Sequence, residues 1–368
     1  MHMKPERLIS LDAMRGYTIA AMILVNFPGN WSHVYTPLLH SEWNGLSFTD
    51  LIAPFFLFIV GVSVVLAYSR RLESGVPARS LYGKITFRSF KIFSVGVLLN
   101  AMALLPGFSL DEMRWTGTLQ RIALVFLACG LLFFLTGWKG QAWAGGIILV
   151  AYWLAMTCIP TPGAGKVMLE PGVNIAAWLD SRFLPGRMWQ GTWDPESILT
   201  TFPSIASGIS GMLAGHVLLS RRIREEKALI LLVSGCIAAA GGYLWGLAFP
   251  VNENLWTSSF VLVTSGMAAM ALGTVYFLVD IRGYRFGTSP GIIFGANAIT
   301  AYVLGDILAV IFYRIPVPVH SLNRYFFDAL VSLGFAPKLA SMLYGLLFVG
   351  IVLIPVWMLY RKRIFIKL

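Results

Sequence analysis

Five histidines stand in this 368-residue sequence, and one of them has neighbours suited to chemistry. His40 opens the run His40-Ser41-Glu42-Trp43-Asn44-Gly45, and Asp50 follows a few residues later. An imidazole with an ordinary pKa of about 6.5 can accept a proton from an amine nucleophile, or can itself attack an acyl carbon. A carboxylate would orient the ring, and both Asp50 and Glu42 are near enough in sequence to do so. The competing reading is a merely solvated loop histidine. His33, His216 and His320 have weaker surroundings and read as structural, and His2 is given no role.

Other polar groups sit where an apolar environment makes them costly, which marks a site in a membrane protein. Asn26 closes the run Val25-Asn26, and Thr49-Asp50 opens a later apolar stretch. Further along come Arg114-Trp115-Thr116-Gly117-Thr118-Leu119-Gln120-Arg121, Asn254-Leu255-Trp256-Thr257-Ser258-Ser259, and Asn297 with Thr300, Tyr302 and Asp306. If these ends converge, Trp43, Asn44, Gln120, Arg121, Asn254, Trp256, Ser258 and Asn297 would line a polar, aromatic pocket beside Asn26, His40 and Asp50. Such a pocket suits a sugar, whose ring faces are apolar and whose edges hydrogen-bond. The alternative makes Trp43, Trp115 and Trp256 interface anchors and Thr49, Ser258 or Asp50 helix caps. A second group, Arg7, Arg15, Arg88 and Lys91, lies at the opposite span ends. It reads either as a phosphate-binding mouth for a nucleotide-like cofactor or as ordinary positive-inside charge, with Asp12 and Arg15 paired at i,i+3 spacing.

The elements that must position these residues are membrane spans. The sequence is 57% hydrophobic and 12% charged, with a mean hydropathy of +0.73. A soluble domain carries about twice that charge. Apolar runs long enough to cross a ~30 Å hydrocarbon core recur throughout. The expectation is an all-α polytopic protein with about ten transmembrane helices, near 8–27, 48–69, 82–103, 119–136, 141–159, 195–219, 228–248, 256–280, 290–313 and 338–360. Residues 1–368 read as one integral membrane domain. Assigning alternate loops to two sides gives nineteen Lys and Arg against eight, which places both termini in the cytoplasm. The net charge of +11 is therefore distributed as in a membrane protein, with no nucleic-acid face. Cys129, Cys158 and Cys236 lie in apolar spans without metal or redox spacing and read as buried packing residues. The long loop 160–194 is a candidate extracytoplasmic lid, and 324–335 an interfacial amphipathic helix. No internal repeat of the secondary-transporter kind is visible. The small-residue run 208–211 permits close helix packing within or between protomers, which leaves a homodimer open.

The ordered set Arg7-Leu8-Ile9-Ser10-Leu11-Asp12-Ala13-Met14-Arg15-Gly16, Val25-Asn26, His40 to Gly45, Asp50, Gly117 to Arg121, Asn252 to Trp256 and Asn297-Ala298-Ile299 resembles the heparan-alpha-glucosaminide N-acetyltransferase family. The resemblance spans most of the chain. It implies a multi-pass protein of the inner (cytoplasmic) membrane that takes acetyl-CoA as co-substrate from the cytoplasm. The acceptor, a glucosamine-type amine, would arrive from the opposite side, with no metal involved. On the resemblance, His40 matches the catalytic histidine, Asn26 and Asp50 its polar partners, and Arg7 and Arg15 positions near the CoA phosphates. The lysosomal enzyme has a shorter stretch between the counterparts of Asn26 and His40, and a different polar residue near Asp306. Two other readings compete: a sugar permease with Asp50 and Asp306 as proton-coupling acids, and an O-acyltransferase acting on a glycan or a lipid-linked sugar.

Overall fold

The computed structural model describes residues 8–105, 107–314 and 320–366. Among them there are thirteen α-helices and no strand; the one isolated bridge joins Arg114 to Gly186. Helices stand at all ten expected positions. Eight segments are long and apolar enough to cross a membrane: α2 with its leading turn (Thr49–Glu73), α3 (Ala78–Met102), α4 (Thr118–Leu135), α5 (Trp138–Cys158), α7 (Ile198–Leu219), α8 (Arg224–Trp245), α9 with its π-turn (Ser258–Ile281) and α13 (Pro337–Arg361). The expected ninth span is two helices, α10 (Thr288–Ala296) and α11 (Ala298–Arg314), bent by 84° at Asn297. The expected first span, α1 (Ile9–Asn26), is outside the apolar set, because Asp12, Arg15 and Asn26 interrupt its eighteen residues. By length and composition eight helices qualify as continuous spans, nine with the bent pair, and α1 is the expected span that does not qualify. The remaining helices are α6 (Ile175–Phe183), inside the long loop, and α12 (Leu322–Ser332), at the place expected of the interfacial helix.

The chain divides into two compact units. The larger comprises Ser41–Leu46 and Pro54–Phe277, and the smaller Leu8–His40, Ser47–Ala53 and the described residues from Leu278 onward. In the larger unit, a Cβ added to Gly61 would fall 1.8 Å from the Gly208 carbonyl oxygen, and one on Gly211 1.9 Å from that of Phe58. Only glycine permits this approach, and it lets backbone dispersion substitute for the hydrophobic driving force that lipid removes. The run 208–211 is therefore engaged within the chain, which removes it as an argument for a homodimer. Outward faces are apolar: Leu98, Trp143 and Ile237 are 61%, 74% and 67% exposed on α3, α5 and α8, as lipid contact requires. Cys129 is buried, but Cys158 and Cys236 are exposed, so the packing role expected for all three holds for Cys129 alone. In the smaller unit α1 packs on α10 in the same close manner, with Gly16 against the Gly291 carbonyl and Gly295 against that of Asp12.

Candidate functional site

The smaller unit holds a histidine–carboxylate pair built largely from local sequence. Ser47 and Asp50 cap each other at the start of α2: the Ser47 N–H donates to Asp50 Oδ2 at 2.7 Å, and the Asp50 N–H donates to Ser47 Oγ at 3.3 Å. This is the reciprocal logic of a capping box. It leaves Asp50 Oδ1 at 2.8 Å from His40 Nδ1. Thr49 Oγ1 donates to the Pro37 carbonyl at 3.3 Å and ties the same turn to the 3₁₀ segment Thr36–Leu38, just before His40. The Asp50 side chain is fully buried, whereas that of His40 is 54% exposed. A carboxylate at Nδ1 favours the tautomer with its proton there, so the lone pair lies on Nε2. Of the two carboxylates left open by sequence, Asp50 is the one on Nδ1.

Asn26 is the last residue of α1, and its amide makes no hydrogen bond to another described residue. The turn that follows is held rigidly: Tyr313 donates to the Pro28 carbonyl at 2.7 Å, and the Gly29 N–H donates to the Ser341 carbonyl at 3.2 Å. Leu24, Val25 and Pro28 share a narrow apolar cleft with Val34, Tyr35 and Leu38. The end of α1 and the segment leading to His40 therefore meet in one place.

At the other end of α1, Arg15 donates to Asp12 at 3.1 Å, the i,i+3 pair expected, and at 3.5 Å to the Gly295 carbonyl. Arg88 lies over the Phe126 ring at 5.0 Å and Lys91 over Phe87 at 5.4 Å, both in the larger unit. Arg7 lies outside the described residues.

Several expected sugar contacts are occupied by the protein itself. Trp256 is 1% exposed; its Nε1 donates to Ser207 Oγ at 3.1 Å and its ring lies 4.6 Å from the Arg121 guanidinium. Arg121 is buried and donates to the Pro195 carbonyl and Thr200 Oγ1. Ser258 donates to the Leu149 carbonyl, and Gln120 to those of Trp115 and Thr116. Asn297 binds the chain at Ile364 and Ile366 through both amide atoms. These five groups satisfy buried backbone and ring edges, which a sequence scan for polar residues cannot separate from a lined pocket. Trp43 and Asn44 remain partly accessible, with Trp43 edge-on to Trp193 and Asn44 accepting from Asn252 Nδ2 at 3.2 Å. Asn254 is half-buried, without a hydrogen bond to a described residue.

Sequence reasoning missed a clasp over the long loop. Arg114 grips Asp194 with two bonds, at 2.7 and 2.6 Å, and also binds Glu196 while stacking on Trp189. Burial pushes the Asp194 carboxyl up, but the Arg114 hydrogen bond and charge outweigh it and hold the group below the usual carboxylate range. Asp180 is 0% exposed and accepts from the Ile198 N–H at 3.2 Å, while its Oδ2 has no hydrogen-bond partner among the described residues. Burial pushes its carboxyl up to about 7, against the Ile198 hydrogen bond and with the help of Asp194. The partners lie eighteen to eighty residues apart, so no local spacing announces them.

Fold and site together define a polytopic helical membrane protein with a buried-Asp, exposed-His pair at the mouth of a span. Residues 7–244 match the family model described as heparan-alpha-glucosaminide N-acetyltransferase, catalytic, and the chain belongs to that family. It is 30% identical to the human heparan-alpha-glucosaminide N-acetyltransferase over 359 aligned positions, covering 81% of this chain and 52% of the relative. The mouse protein of the same name is 29% identical over 362 positions, covering 82% and 54%. The chain thus spans about half the length of the curated relatives it matches. Asn26, His40, Asp50, Gln120 and Arg121 fall inside the family match, whereas Asn254, Trp256, Ser258, Asn297 and Asp306 lie beyond it.

Proposed function

We propose that this protein transfers acetyl from cytoplasmic acetyl-CoA to the amine of a glucosamine-type sugar on the far side of the membrane. Family membership supplies the reaction class, and the His40–Asp50 pair is the single structural observation that carries the reading. An amine acceptor enters as an ammonium and loses one proton before it attacks; the second leaves as the amide forms, and the departing CoA thiolate takes up a proton. His40 Nε2 is the base, with Asp50 holding Nδ1–H and stabilising the imidazolium. A variant route has Nε2 attack the thioester first, expelling CoA and carrying the acetyl to the amine. Asn26 would hydrogen-bond the acetyl oxygen or the sugar. Of the larger unit's candidates, Asn44 and Asn254 keep accessible surface, whereas the Trp43 Nε1 donates to the Leu169 carbonyl at 3.2 Å.

On the resemblance, Arg7 and Arg15 would lie near the CoA phosphates, while Arg88 and Lys91, in the larger unit, stay expectations from the sequence. Arg15 and Asn26 lie eleven residues apart on the uninterrupted α1, about 16 Å of helix, a span suited to the pantetheine arm of CoA. The termini are assigned to the cytoplasm and the protein to the inner membrane.

The test is CoA release by purified protein given acetyl-CoA, with and without glucosamine. Wild type should release CoA in an acceptor-dependent manner, and His40→Ala should lower kcat by about 10²–10⁴. A burst of enzyme acetylation without acceptor would select the acetyl-histidine route. Sugar binding with no CoA release from wild type would overturn the assignment in favour of a permease.

A further inference from the structure

We propose that Asp306 is the residue that recognises the positive charge of the acceptor, selecting an ammonium-bearing sugar over a neutral one. The proposal rests on the acetyltransferase reading and names the acceptor property its site would read. Asp306 lies on α11, the second half of the bent pair, within an apolar segment. It is half-buried and makes no hydrogen bond or ion pair with another described residue. An intramembrane acid is retained where something completes its charge, and here no described side chain does.

Its depth is set by its neighbour. A Cβ built on Gly305 would meet Ile23 at 3.4 Å and Phe27 at 3.6 Å, so this turn of α11 lies against the turn of α1 that carries Asn26. Two turns on, Tyr313 donates to the Pro28 carbonyl and its ring lies tilted against Phe27, fixing the two helix ends to each other. The smaller unit therefore places a carboxyl and a carboxamide, neither hydrogen-bonded to a described residue, at one level. Because the same α1 end packs against the segment leading to His40, a sugar held there would lie on the side of the catalytic pair. The chemistry that completes the site is a primary ammonium. Carboxylate–ammonium bonds are charge-assisted, and a hydroxyl in the same position forgoes that gain.

Steady-state kinetics at about pH 6, where an amine is held as the ammonium, test this. Asp306→Asn should raise KM for glucosamine by about tenfold or more while leaving KM for acetyl-CoA within about twofold, and Asp306→Glu should recover much of the loss. Unchanged KM for glucosamine overturns the proposal, as does a parallel loss of acetyl-CoA binding and of Tm, which would mark Asp306 as structural. Calorimetry on wild type needs neither turnover nor a folded variant: glucosamine should bind more tightly than glucose, and equal binding overturns the proposal. Absence of CoA release with every acceptor would sink the acetyltransferase reading but leave this comparison intact.

Discussion

Asp50 divides its two oxygens between structure and chemistry. Oδ2 accepts the Ser47 N–H and caps α2, while Oδ1 lies on His40 Nδ1. An amide in its place keeps one acceptor for Ser47 but presents an NH₂ to Nδ1, which drives the ring proton to Nε2 and removes the lone pair from the working nitrogen. Asp50→Asn should therefore lower kcat by roughly 10²–10⁴ with little change in either KM and only a small loss of Tm, because the cap survives. Kinetics and a thermal melt on one preparation would show it. A variant with normal kcat would mean that the carboxylate only caps the helix. This pair was legible in sequence because cap, acid and histidine lie within ten residues. Trp256 and Ser258 looked equally promising, but their polar atoms serve Ser207 and the Leu149 carbonyl, a fact that only tertiary packing reveals.

At the scale of elements, Asp180 links α6 to the first turn of α7 through the Ile198 N–H. The groups that act on it are the Asp194 carboxylate, the Arg121 guanidinium and the Ile198 amide. Because its folded value of about 7 lies above the ordinary carboxylate value, the folded chain binds the proton more tightly than the unfolded chain. The associated stability is fully present below about pH 4 and is lost as pH rises through 7, by at most roughly 1.4 kcal/mol per unit. Asp180→Asn retains an acceptor for Ile198 and carries no charge. It should raise Tm relative to wild type at pH 8 and change it little at pH 4; an equal change at both would show that burial of this charge has no bearing on stability. Helix positions followed from hydropathy to within a few residues, since spans are fixed by bilayer thickness. The break between α10 and α11 did not, because Asn297 interrupts an otherwise continuous apolar run and bends it through tertiary bonds to Ile364 and Ile366. The Arg114–Asp194–Glu196 clasp was hidden for a related reason: oppositely charged groups eighty residues apart leave no periodicity.

For the whole molecule, the proposed reaction is vectorial, and its direction rests on charge. On the ten-span reading of the sequence, nineteen Lys and Arg would fall in loops of one side and eight in those of the other, a bias of the kind that sets orientation during insertion. Eight apolar helices would hold such an orientation once inserted, because reversing it would drag charged loops through hydrocarbon. On that proposal acetyl-CoA, too polar to cross a bilayer unaided, would have access from the cytoplasmic loops only, where Arg15 is proposed to receive it. The acceptor would have access from the other side, to which the proposal assigns the Asn26 end of α1. Inside-out vesicles carrying the protein, loaded with glucosamine and given external acetyl-CoA, should therefore accumulate N-acetylglucosamine within. Right-side-out vesicles given both reagents externally should form none until permeabilised. Product formed only when both reagents share one side would refute transfer across the bilayer while leaving the acetyltransferase chemistry, and the His40–Asp50 pair that carries it, in place.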